Sequence, residues 1–139
     1  MAAQTMGEVR VPVTFRGPKG AATVEDVLVD TGATHTAVES GLAEALGLVP
    51  RWRHPFETAN GPRDFDIALA EVEILGRSMP MSVVIADVNL VGMTTLESLG
   101  FKVDPVQRRL EPTVGVLYSV ADPETTTPIG VDPSGLIEP

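Results

Sequence analysis

The 139-residue chain has no cysteine, so a disulfide framework, a catalytic thiolate and a zinc–thiolate site are all excluded. Histidine occurs twice, at His35 and His54, with the carboxylates scattered around them, and no metal-ligand spacing results. Aromatic residues make up only 4% of the chain, and its few arginines form no stripe with them. Positive charge is scarce as well. Ten Lys and Arg stand against 19 Asp and Glu, and the resulting net charge of −9 disfavours nucleic acid or anionic lipid as a partner. No apolar run approaches the roughly 18 residues of a membrane-spanning helix. Residues 1–10 carry neither a basic n-region nor an apolar h-region, so a cytoplasmic protein is expected. No phosphate-binding loop or dinucleotide glycine motif is present, and no cofactor or metal is expected.

What the chain does have is a globular composition, 43% hydrophobic, at a length that suits one domain. Its most informative stretch is Val27-Leu28-Val29-Asp30-Thr31-Gly32-Ala33. Three strand-favouring apolar residues run directly into a carboxylate and a tight loop, which places Asp30 at the edge of a core. A carboxyl so placed is a candidate for acid–base chemistry. Asp-Thr-Gly after a strand is also an ordinary turn, since Asp and Thr cap loops and Gly supplies positive φ. A second stretch separates these readings. Val88-Asn89-Leu90-Val91-Gly92 is another apolar run ending in Gly, and a short helical pattern with Leu96, Leu99 and a Gly100 stop follows it.

The remaining pattern is mostly strand. Val9, Val11, Val13 and Phe15 alternate, with Pro12 pointing to an edge position. Gly17-Pro18-Lys19-Gly20 is a turn, and residues 23–29 form the strand that delivers Asp30. Residues 36–38 suggest a short strand, and 39–48 a helix with Ser40 as its cap and Gly47 near its end. Asn60-Gly61 is a strong hairpin signal. After it Phe65, Ile67 and Leu69 alternate in one phase and Val72 and Ile74 in the other, which predicts a bulge near Ala70. A turn at Gly76-Arg77-Ser78 and strands over 81–86, 101–104 and 107–110 complete this part. Residues 113–139 differ, with prolines and a Thr125-Thr126-Thr127 run, and read as a Pro/Thr-rich tail after a domain spanning 1–112. Val103-Asp104-Pro105 is echoed in that tail by Val131-Asp132-Pro133, a match short enough to arise by chance.

The two apolar–Gly stretches, in this order and at this spacing, resemble the motif pair of the retropepsin-like aspartic proteases, in their small single-domain bacterial form. Val29-Asp30-Thr31-Gly32-Ala33 matches the first motif and Leu90-Val91-Gly92 the second, within a resemblance covering about residues 9–110. The resemblance implies a mainly β, closed-barrel domain with a flap hairpin and one or two short helices, active as a two-fold homodimer. It implies an aspartic endopeptidase that acts on peptide or protein substrates, with Asp30 catalytic and Thr31, Gly32 and Ala33 supporting its loop. Ala59, Asn60 and Gly61 would form the flap that covers substrate. One Asp-Thr-Gly per chain means that the second carboxylate must come from a second copy. Thr34 and Met93 stand where many viral members carry an ion pair. The alternative is a catalytically silent domain of the same fold that binds peptides or dimerises. His35, His54 and Trp52 are candidates to line the groove.

Overall fold

The computed structural model describes residues 8–114 and shows a mainly β protein. Strands β1 (Val9–Gly17) and β2 (Gly20–Val29) form the first hairpin across the Pro18-Lys19 turn. Val9, Val11, Val13 and Phe15 point into the core, as their alternation requires. The ladder slips between Val11 and Val13, where Pro12 alone faces Glu25 and Asp26 of β2, and Asp26 takes φ 60°. This bulge changes the phase of β2, so that Ala22 and Val24 before it and Val27 and Val29 after it all face inward. β1 pairs on its other side with β5 only through Thr14, Phe15 and Arg16, so at Pro12 that side carries no ladder pairing and the proline, without an N–H, also sits opposite the bulge.

After β2 come β3 (Ala37–Glu39) and the one-turn helix α1 (Ser40–Ala45). The helix is shorter than its pattern suggests and is capped at Glu39 rather than Ser40, with no side-chain cap bond. Gly47 follows with φ 74°. Strands β4 (Trp52–Thr58) and β5 (Gly61–Ile74) then make a long hairpin. The turn residues are Ala59-Asn60, and Gly61 follows at φ 99°, the positive-φ position that closes hairpin loops in which the turn itself keeps ordinary φ.

The bulge expected near Ala70 is absent, since β5 pairs with β6 (Arg77–Ala86) in one unbroken register from Asp66↔Ile85 to Ile74↔Arg77. The apparent phase flip has another cause. Ala68, Ala70, Val72 and Ile74 face the main core, whereas Phe65 and Ile67 face a second, smaller apolar cluster on the opposite side of the strand. Leu69 lies on that side too and is 47% exposed. The turn joining β5 and β6 is Leu75-Gly76 rather than 76–78, with φ of 50° and 85°.

Strand β7 (Leu90–Val91) is only two residues long, yet it lies parallel to the end of β2 and pairs with Ala37 of β3. With β3 parallel to β6, the pairings run β1, β2, β7, β3, β6, β5 and back to β1, leaving β4 outside. Helix α2 (Met93–Leu99) ends at Gly100 in the left-handed region, as its stop signal requires. A separate hairpin of β8 (Phe101–Asp104) and β9 (Arg109–Pro112) follows. β9 starts later than expected because the Asp104 carboxylate accepts the N–H groups of Val106 and Gln107 and holds them in a turn. No helix among the described residues is long and apolar enough to cross a membrane. The proposed tail lies outside the described residues except for Thr113 and Val114, as does the second copy of the Val-Asp-Pro echo.

Candidate active site

β2 delivers Asp30 where the sequence places it. Val27 and Val29 are buried, and the chain leaves the sheet at Asp30, which is half-buried while Thr31 and Gly32 are exposed. The Gly32 N–H donates to Asp30 Oδ1 at 3.0 Å, and the Ala33 N–H donates to the Asp30 carbonyl at 3.0 Å, so the loop closes on its own first residue. Among the described residues the second carboxylate oxygen, Oδ2, takes no hydrogen bond and no salt bridge reaches it. A carboxyl group with one oxygen fixed by an amide and the other free can accept a proton when ionised and donate one when protonated.

The second motif lies directly beneath this loop. The Asp30 N–H donates to the Val91 carbonyl at 2.8 Å, and the Met93 and Thr94 N–H groups donate to the Ala33 and Thr34 carbonyls at 2.8 and 3.0 Å. Gly92 is required here. A Cβ on it would lie 2.4 Å from the carbonyl carbon and oxygen of His35. Leu90, Val91 and Gly92 are thus brought against 30–35 as the motif order suggests. Two residues that sequence reasoning passed over complete the junction. Thr36 Oγ1 accepts the Gly92 N–H at 3.0 Å and bonds Thr95 Oγ1 at 2.6 Å, both within the core.

The hairpin of β4 and β5 approaches from the other side. β6 supports β5 only as far as Asp66, so residues 61–65 extend about 17 Å beyond that support, paired with β4 alone. The underside of this projection is apolar. Phe56 and Phe65 pack on the cluster of Ala37, Ile67 and Val84 together with Leu90, the residue beside the Asp30 strand. The His35 ring meets Phe56 edge-on at 5.5 Å, which joins the Asp loop to the hairpin. Arg63 lies over the Phe65 ring at 4.6 Å and reaches Asp87 at 3.4 Å, in the loop leading to β7. His35, Trp52 and His54 line one open hollow of about 420 Å³ with Ile67, Leu69 and Ser82, so the three candidate groove residues do come together. Ala59, Asn60 and Gly61 stand at the hairpin tip, where Thr58 Oγ1 accepts the Asn60 N–H and donates to the Gly61 carbonyl.

A mainly β sheet that presents an Asp-Thr-Gly loop packed on an apolar–apolar–Gly strand is the arrangement of an aspartic peptidase domain. The sequence profile of the aspartyl protease family matches residues 11–117, and the chain belongs to that family, within the retropepsin-like clan. The match runs five residues past 112, where the sequence pattern placed the domain's end. No curated protein matches the chain.

Proposed function

We propose that the protein is a homodimeric aspartic endopeptidase whose two Asp30 carboxylates, one from each protomer, activate a single water. Family membership supports a protease role. The observation that carries the finer reading is the state of Asp30, half-buried at the end of β2 with one oxygen held by the Gly32 amide and the other without a hydrogen bond among the described residues. Each chain has one Asp-Thr-Gly, while the chemistry needs two carboxylates close enough to share a proton. A two-fold axis between the Asp loops supplies the second. The pair then titrates as a unit. The ionised carboxylate takes a proton from water as its oxygen attacks the peptide carbonyl carbon, and the protonated partner gives its proton to the carbonyl oxygen. Collapse of the resulting diol breaks the C–N bond, with a proton passed to the leaving nitrogen.

In this reading the six mutually paired strands are the closed retropepsin-like barrel, within a domain assigned to residues 1–112 of the sequence and followed by 113–139 as an appended tail. The hairpin of β4 and β5 is the flap, and Ala59, Asn60 and Gly61 close over an extended peptide and exclude water. Thr31, exposed on the loop, offers its hydroxyl across the axis to the partner loop.

The test is cleavage of a diverse peptide mixture between pH 3.5 and 7.5 by wild type and Asp30→Asn, with each sample sized for dimer. Cleavage by wild type and none by a dimeric variant is the expected result. A dimer that cleaves nothing at any pH would leave the silent peptide-binding module instead.

A further inference from the structure

Among the described residues the fully buried polar side chains are Thr36 and Thr95, each 1% exposed. Valine has nearly the same shape and would bring no hydroxyl to satisfy, so packing alone does not account for threonine at both positions. Their hydrogen bonds do. The Gly92 N–H donates to Thr36 Oγ1 at 3.0 Å, Thr36 and Thr95 share a bond of 2.6 Å, and Thr95 Oγ1 donates to the Met81 sulfur at 3.0 Å. Because Thr95 gives its hydrogen to sulfur, Thr36 is the donor between the two hydroxyls. That leaves a lone pair of Thr36 directed at Gly92. Each hydroxyl donates once and accepts once, so the chain from amide to sulfur is complete.

This chain ends one side of the Asp loop. The loop is tied at its start by the Asp30 N–H to Val91 and at its finish by the Thr36 hydroxyl to Gly92, two consecutive residues of the second motif. The Thr36 carbonyl also accepts the Val84 N–H at 2.9 Å, which seats the same residue on β6. Between the two ties, the loop touches Gly92 so closely that no side chain fits there.

We infer that Thr36 is a positioning residue for Asp30, with Thr95 setting the direction of its hydroxyl; the inference rests on the peptidase reading. Loss of the Thr36 acceptor leaves a buried Gly92 N–H without a partner and removes the side-chain tie at the end of the loop. The backbone bonds of Asp30 to Val91, of Met93 and Thr94 to Ala33 and Thr34, and of Val84 to Thr36 remain, so the loop loosens around Gly92 without detaching. In a dimer with a shared proton the displacement counts twice, since both protomers carry it.

The experiment compares Thr36→Val, Thr36→Ser and Thr95→Val with wild type in the full chain. It reads kcat and KM per folded dimer and the amide hydrogen exchange of Asp30, Ala33 and Gly92. Thr36→Val is expected to lower kcat by about 10- to 100-fold with KM little changed. Thr36→Ser should restore kcat to within about threefold of wild type, and Thr95→Val should fall between the two. The three amides should exchange faster in Thr36→Val while those of β5 and β6 keep their protection. Wild-type kcat per folded dimer in Thr36→Val would overturn the inference, because a residue that only stabilises the fold lowers the melting point and leaves the folded enzyme's rate alone. If wild type itself cleaves nothing, the peptidase reading fails separately. The exchange data then decide: unchanged protection at Asp30, Ala33 and Gly92 overturns the positioning role, and faster exchange upholds it.

Discussion

Alanine at Gly92 tests the junction between the two motifs. The added methyl would stand 2.4 Å from the His35 carbonyl carbon and oxygen and 2.8 Å from its nitrogen. Carbon contacts are comfortable at about 3.5–4.0 Å, so two backbones must part by about 1 Å. Neither yields easily. His35 lies within a loop tied at both ends to Val91 and Gly92, and Gly92 itself starts α2. Overpacking costs about 1–3 kcal/mol, and a clash of backbone with backbone belongs at the upper end, about 3 kcal/mol. In a domain of this size that corresponds to a fall of about 10 °C in melting temperature. Gly32→Ala is the matched control, since its methyl would meet only Asp30 Oδ1, at 3.4 Å, within the same chain. That variant should lose less than about 1 kcal/mol. Both are measured by thermal and urea unfolding at one protomer concentration, because a dimer's midpoint depends on it. Cleavage is then followed under conditions where each is folded. Gly92→Ala should melt lower and cleave poorly. In the proposed dimer the partner's loop would occupy the space that is open in one chain, so Gly32→Ala should fold normally yet lose cleavage. A Gly92→Ala protein melting within about 2 °C of wild type would refute the packing argument, given the expected fall. A fully active Gly32→Ala dimer would refute the apposition of the two loops.

Leu75 holds φ 50° in the turn between β5 and β6, a conformation that costs a branched residue about 1–2 kcal/mol. Leu75→Asn creates the Asn-Gly pair that such turns favour, and urea unfolding should show a gain of about 0.5–1 kcal/mol. The Asp104 carboxyl is held below its ordinary value, chiefly by the Gln107 N–H, against a burial cost, and further by Glu111, the Val106 N–H and Arg109. The unfolded chain therefore binds the proton more readily, so stability from this group is present above its ordinary value near pH 4 and is lost as pH falls through the lowered one. Asp104→Asn should remove that part of the pH dependence from unfolding midpoints, leaving the curve flatter at its acid end.

The parts legible in the sequence are those with local chemistry. Pro18 and Gly20 mark the first hairpin, Asn60-Gly61 the second, and Gly100 the end of α2, because each residue satisfies a backbone requirement within a few positions of itself. Asp30 was legible for the same reason, as an apolar strand breaking into Asp-Thr-Gly. Thr36 and Thr95 were not. Each has its partner far away along the chain, and a threonine opening a strand or lying within a helix gives no sign that its hydroxyl is buried. β5 misled for a related reason. Alternation reports that two faces differ, and here both faces are apolar in turn, one toward the main core and one toward the cluster below the hairpin. The bulge that the pattern assigned to β5 lies instead in β2, at Glu25 and Asp26, where neighbouring charges concealed it.

The two-residue strand β7 has a consequence for the order of folding. The hairpins of β1 with β2, β4 with β5 and β5 with β6 join neighbours in sequence and close at low entropic cost. β7 pairs with β2 and β3 across more than fifty residues of chain, through Leu28↔Leu90, Val29↔Val91 and Ala37↔Leu90 alone. So small a contact gains nothing until the sheets on both sides already exist. The place of Asp30 therefore depends on a contact that no single hairpin supplies: each hairpin can pair while the loop over 30–36 still lacks its ties to Val91 and Gly92.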